Sequence, residues 1–129
     1  MKIDHIGYLV KDIDKSVEQF RQLGYVIKQN TVYDELRDVN ICFMEQQGYV
    51  IELVAPCSDK SVVHEQLKKM GQTPYHVCYR VDNLEETVEE LRAKKYVIMR
   101  EPEVAVALAG KRVVFMYHRS VGMIELVEE

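Results

Sequence analysis

The segment HIGYLVKDIDKSVEQFRQLGYVI that begins at His5 returns as HVCYRVDNLEETVEELRAKKYVI beginning at His76, displaced by 71 residues. Tyr8/Tyr79, Val10/Val81, Val17/Val88, Glu18/Glu89, Arg21/Arg92 and the triplet Tyr25-Val26-Ile27/Tyr96-Val97-Ile98 are identical, and most remaining pairs are conservative. Ile51-Glu52-Leu53-Val54 returns as Ile124-Glu125-Leu126-Val127 at a displacement of 73, as loops of slightly different length would give. A repeat of this period means that one supersecondary unit is used twice. Every element assigned in one half must therefore be assignable in the other.

The local signals satisfy that condition. Residues 2–10 read as a strand; Asp12 or a neighbour caps a helix whose apolar stripe is Ile13, Val17, Phe20 and Leu23, and Gly24 ends it. Strand-like runs follow near Tyr25–Val32, Val39–Met44 and Tyr49–Val54, separated by the polar turns YDELRD and EQQG. The second half repeats the order, with a helix near Asn83–Lys94 and strands near Tyr96–Arg100, Arg112–Tyr117 and Met123–Val127. A connecting helix near Ser61–Met70, ended by Gly71, joins the halves. Each half is a βαβββ module: residues 1–57, a connection over 58–72, and residues 73–129. The apolar stretch Val104–Gly110 lacks a clear strand or helix period and is read as a buried crossover, with a loop closing over a ligand as the alternative.

Two residue types break the apolar pattern at matched places. Side chains alternate along a strand, so His5 shares a face with Ile3, Gly7 and Leu9, while Ile6, Tyr8 and Val10 point toward the helix. The same parity sets His76 beside Cys78, so the residue two beyond each His is small and leaves room above it. Glu52 and Glu125 are each flanked by Ile and Leu, and a desolvated carboxylate without a partner costs several kcal/mol. Taken singly, each Glu would be a solvated strand residue and each His a hydrogen-bonded core residue. The duplication pairs them: His5, Glu52, His76 and Glu125 form a two-imidazole, two-carboxylate set suited to a divalent ion such as Ni²⁺, Co²⁺, Zn²⁺, Mn²⁺ or Fe²⁺ with open positions for water or substrate oxygens.

Other polar residues carry weaker signals. His64 reads as surface, His118 as a loop residue, and Lys111, Arg112, Arg119 and Arg37 as cations available to an anionic substrate, with Lys111 and Arg112 the binding candidates. Asp and Glu exceed Lys and Arg by 21 to 17, and no Lys/Arg run exceeds a pair, which argues against nucleic acid and anionic membranes as partners. Apolar runs fall short of the roughly 18 residues of a membrane span, and the N-terminus lacks a signal-peptide pattern, so a cytoplasmic location is expected. Cys42, Cys57 and Cys78 are odd in number and lie in apolar segments, as reduced core thiols would.

With those residues in view, the chain resembles the vicinal oxygen chelate superfamily, which includes glyoxalase I, methylmalonyl-CoA epimerase, ring-cleaving dioxygenases and antibiotic-resistance proteins. The resemblance runs from IDHIGYLVKDIDKSVEQF through YHVCYRVDNLEETVEEL to VVFMYHRSVGMIELVEE. It implies an α+β fold, the glyoxalase/bleomycin resistance/dihydroxybiphenyl dioxygenase fold, in which two βαβββ modules form a curved mixed sheet around a metal cleft. It also implies that His5, Glu52, His76 and Glu125 are the metal ligands, with Ni or Co favoured over Zn or Mn, and that the protein is a homodimer. The turn YHRSVG lacks the Pro expected of the epimerase, and Asn40 stands where the epimerase can carry a third-strand Glu. The resemblance is therefore read toward a glyoxalase I-like lyase, which isomerises the hemithioacetal of methylglyoxal and a thiol to an S-lactoyl thioester. Glu125 would be its base and Glu52 the second carboxylate. The alternatives are a methylmalonyl-CoA epimerase-like enzyme acting on an acyl-CoA, and a resistance-type protein that binds a small molecule without turning it over.

Overall fold

The structure is a computed structural model that describes residues 1–129. The element order is β1 (Lys2–Leu9), α1 (Ile13–Gln22), β2 (Val26–Asp34), β3 (Val39–Gln46), β4 (Tyr49–Pro56), α2 (His64–Met70), β5 (Thr73–Val81), α3 (Leu84–Ala93), β6 (Val97–Ala105), β7 (Lys111–His118) and β8 (Gly122–Glu128). Two compact units are present, one of His5–Tyr75 and one of Met1–Asp4 with His76–Glu129. The first has strand order β2-β3-β4-β1 and the second β5-β8-β7-β6. In each, the first strand pairs in parallel with the last and the other pairings are antiparallel. The α+β class and the βαβββ order expected from the repeat are both observed.

Each helix lies where its caps and apolar spacing put it. Asp12 accepts a hydrogen bond from the Lys15 amide at 3.0 Å, and Asn83 from the Glu86 amide at 2.9 Å, so both helices begin on a side-chain oxygen that satisfies a first-turn donor. Beneath α1, Val17 and Phe20 pack against a core of Met44, Ile51 and Leu53; beneath α3, Val88 and Leu91 pack with Met116, Ile124 and Leu126. Leu53 and Leu126 are fully buried, each contributing about 1.5–3 kcal/mol by removal from water. The two cores are built from matched positions of the two repeats.

Three expectations are corrected. Leu23 is the C-cap of α1 and 65% exposed, so the buried stripe stops at Phe20. Cys57 is exposed because it follows the end of β4, whereas Cys42 and Cys78 are buried. Val104–Gly110 is not a buried crossover: β6 continues to Ala105, and a 3-10 turn over Val106–Leu108 leads into β7, burying Ala105 and Ala107 while Val104 and Val106 remain exposed.

Both helices end in the same way with different residues. The Tyr25 amide donates to the Phe20 carbonyl and the Tyr96 amide to the Leu91 carbonyl, each at 3.1 Å, which requires the preceding residue to be left-handed. That residue is Gly24 at φ +100° in the first module and Lys95 at φ +77° in the second. A side chain there carries a steric cost of about 1–2 kcal/mol that Gly escapes, partly offset by the greater freedom of Gly in the unfolded chain. Lys95→Gly is therefore expected to raise stability by about 0.5–1 kcal/mol in urea denaturation. Gly24→Ala should lower it, since an alanine at φ +100° is strained. A Lys95→Gly midpoint at or below the parent's would remove this account of the helix end.

Candidate functional site

Parallel pairing of first and last strand is what brings a His and a Glu together in each unit. In the unit His5–Tyr75, Gly7 stands opposite Glu52 on β4, and His5 lies two residues earlier on the same face of β1. His5 Nε2 and Glu52 Oε1 are 3.4 Å apart. In the other unit Cys78 stands opposite Glu125 on β8, and His76 Nε2 lies 3.1 Å from Glu125 Oε1. The small residues two beyond each His are thus the cross-strand neighbours of the glutamates, and their size admits the carboxylates.

All four side chains are buried, with exposures of 1% for His5, 5% for Glu52, 4% for His76 and 4% for Glu125. The reading of either glutamate as a solvated strand residue is therefore excluded. A further residue completes each pair. Phe43 stands opposite Glu52 and its ring meets that of His5 at 5.2 Å and 82°; Phe115 stands opposite Glu125 and meets His76 at 5.2 Å and 90°. Sequence reasoning missed both phenylalanines, although Phe43-Met44 and Phe115-Met116 repeat inside ICFM and VVFM.

The donor set suits a divalent ion. Imidazole nitrogen and carboxylate oxygen bind such ions at about 2.0–2.2 Å, and two adjacent donors on one ion then stand about 3.0–3.5 Å apart, the range in which both Nε2–Oε1 separations fall. Each unit by itself thus presents one imidazole nitrogen and one carboxylate oxygen at a separation that a divalent ion could bridge.

The remaining candidates are placed as follows. His64 is partly exposed, 3.9 Å from Glu65. His118 accepts a hydrogen bond from the Ser120 amide through Nδ1 and packs its ring on Tyr96, so it fastens the β7–β8 turn. Arg37 is buried and donates to Asp34 at 2.7 Å, which answers the expectation of a cation available to substrate: its charge is already matched. Asn40 pairs with Ala55 and shares a face with Cys42 and Met44 beneath α1, turned away from Glu52 and Phe43. It is not a residue of the site face, and the objection to an epimerase that rested on it lapses. Lys111 is exposed at the start of β7. Arg112 donates to Glu85 at 2.6 Å and to Glu128 at 3.0 Å, tying α3 to β7 and β8.

The family model for the Glyoxalase/Bleomycin resistance protein/Dioxygenase superfamily matches residues 4–115. Mitochondrial methylmalonyl-CoA epimerase of Dictyostelium discoideum is 26% identical over 131 residues, covering 99% of this chain and 78% of that protein. The crystal structure of methylmalonyl-CoA epimerase from Mycobacterium tuberculosis is 25% identical with a TM-score of 0.85, over 98% of this chain and 87% of that one. A Streptomyces coelicolor methylmalonyl-CoA epimerase in complex with 2-nitronate-propionyl-CoA shares the fold, with a TM-score of 0.84 at 24% identity, over 100% of this chain and 94% of that one. These relatives are epimerases, and they overturn the glyoxalase I, lactoylglutathione lyase reading. No helix is long and apolar enough to cross a membrane.

The Arg112 cluster has a pH signature. Hydrogen bonds from Arg112 hold the carboxyls of both Glu85 and Glu128 below their ordinary value of 4.5. Groups depressed in the folded state stabilise it above their unfolded-state value, and that contribution is lost as pH falls through the folded value. Arg112→Gln is expected to lower the melting temperature at pH 7 and to converge on the parent below about pH 4. A difference that persists unchanged into that acid range would show that packing, not charge, carries the effect.

Proposed function

This chain belongs to the glyoxalase/bleomycin resistance protein/dioxygenase superfamily, and from that premise we propose that it is a divalent-metal-dependent epimerase of a 2-substituted malonyl thioester, with methylmalonyl-CoA as the substrate to test first. The observation that carries the reading is the buried His–Glu pair found once in each module. Likeness to methylmalonyl-CoA epimerases over nearly the whole chain supports the choice of substrate class.

Epimerisation requires a proton to leave the carbon between two carbonyl groups and to return on its opposite face. One carboxylate can remove it and a second, on the other side, can replace it, so a reaction of this type uses two equivalent bases where a hydrolysis would use one. The repeat supplies Glu125 and Glu52. In this assignment Glu125, as the carboxylate, takes the proton from C2 and Glu52, as the carboxylic acid, delivers one to the opposite face, the two protonation states and roles being exchanged for the other epimer. His5 and His76, each braced by a phenylalanine ring, are the fixed donors of the metal site, with Glu52 and Glu125 as its carboxylate ligands. When bound, a divalent ion would stabilise negative charge developing on the thioester oxygen. Ni²⁺ or Co²⁺ is the ion we favour, with Zn²⁺ or Mn²⁺ as alternatives. Burial of both carboxylates keeps bulk water from the transferred proton.

The test is deuterium uptake. In D₂O the metal-loaded protein should exchange the C2 hydrogen of methylmalonyl-CoA and scramble its configuration, read by mass spectrometry and chiral analysis. Glu125→Gln and Glu52→Gln should each slow epimerisation by about 10²-fold or more while the fold is retained. His5→Gln and His76→Gln should lower the bound-metal content. Absence of exchange with every one of the four ions would overturn the substrate assignment.

A further inference from the structure

The two modules differ where their site faces meet the edge strand. Residues in register across the second unit run Cys78 on β5, Glu125 on β8, Phe115 on β7 and Arg100 on β6. The same row in the first unit runs Gly7, Glu52, Phe43 and Gln29. Directly opposed residues share a face, so Arg100 projects on the side that carries Glu125 and His76. Its strand is two removed from that of Glu125, about 10 Å at the backbone, so Arg100 stands at the margin of the site face, where a substrate extending across the sheet from Glu125 would meet it.

Arg100 also arrives there braced. Irregularities in β6 on both sides of Arg100 bring Glu103 to the same face, where its carboxylate lies 2.8 Å from Arg100 Nη2. In a regular strand, residues three apart point to opposite faces. The first module has the same irregularities in β2, yet places Gln29 and Val32 at the matched positions. The backbone frame is thus common to both modules and the charged pair belongs to one. Stability does not explain it, because Arg100 and Glu103 are 37% and 25% exposed and such pairs contribute little. A guanidinium held by one nitrogen keeps the rest of its planar fork for a bidentate oxyanion.

We infer that Arg100 is a specificity-determining residue that binds an oxyanion of the acyl-CoA substrate, with Glu103 as the positioning residue that holds its guanidinium. The inference rests on the epimerase reading above. Such a thioester offers two oxyanion sources, the free carboxylate of the acyl group and the phosphates of the nucleotide, and the experiment separates them.

KM and kcat are measured for methylmalonyl-CoA and for methylmalonyl-pantetheine, which lacks the nucleotide phosphates, with the metal-loaded parent, Arg100→Met and Arg100→Lys. Loss of a charge-assisted bidentate contact should raise KM about 10- to 100-fold in Arg100→Met, with kcat changed far less. Arg100→Lys should recover part of that loss by charge alone. An equal rise for both thioesters assigns the contact to the carboxylate, and a rise confined to the CoA ester assigns it to a phosphate. A KM within twofold of the parent for both thioesters overturns the inference while leaving the epimerase reading intact. If the parent is inactive, calorimetric binding of methylmalonyl-CoA decides: tight binding by the parent and weak binding by Arg100→Met supports the contact, and equal binding or none overturns it.

Discussion

Two glutamates buried on the faces of β-strands constrain everything else in this chain. A carboxylate withdrawn from water loses hydration worth several kcal/mol, and the loss is tolerated only where a partner stands in for the solvent. Here one oxygen of each carboxylate lies within 3.4 Å of an imidazole nitrogen. That requirement makes the first and last strands neighbours, because the two residues come from opposite ends of each module; the pairing observed is parallel. It also dictates a small residue opposite each glutamate, Gly7 in one module and Cys78 in the other.

The helices serve the same end from the other face of each sheet. Met44, Ile51 and Leu53 in one module and Met116, Ile124 and Leu126 in the other point toward a helix, so the alternate residues of the same strands, among them Phe43, Glu52, Phe115 and Glu125, are left for the site. A one-residue slip in any of these strands would exchange the two sets and bury the wrong one. The large apolar residues that hold the helices therefore also fix the register on which the His–Glu distance depends.

Much of this was legible in the sequence because duplication turns weak signals into paired ones. A single His in a strand says little, but His5 and His76, with Glu52 and Glu125, recur at matched places, and that recurrence marks the four as a set. The caps Asp12 and Asn83 were visible for the same reason. What escaped had physical causes. Asn40 lies in a short apolar run whose face is not evident without its pairing partner. Arg100 would point to the helix side if strand alternation were counted from Ile98; the irregularity between them turns it over. The choice between glyoxalase I and an epimerase was not readable from the four candidate ligands, since both chemistries move a proton beside a carbonyl and ask the same of two carboxylates.

The differences between the repeats bear on the reaction as much as their likeness does. Left to drift, two copies of a module would diverge at exposed and buried positions alike, yet the His, the Glu and the Phe in register with that Glu are kept in both. On the proposed reading the reacting carbon must be reached from two faces, which preserves a carboxylate in each module. On the same reading an anionic group of the substrate would be met by one module only, which would leave the matched edge positions free to be Gln29 and Val32 in one module and Arg100 and Glu103 in the other. Symmetry is retained where the chemistry is symmetric and given up where recognition is directional.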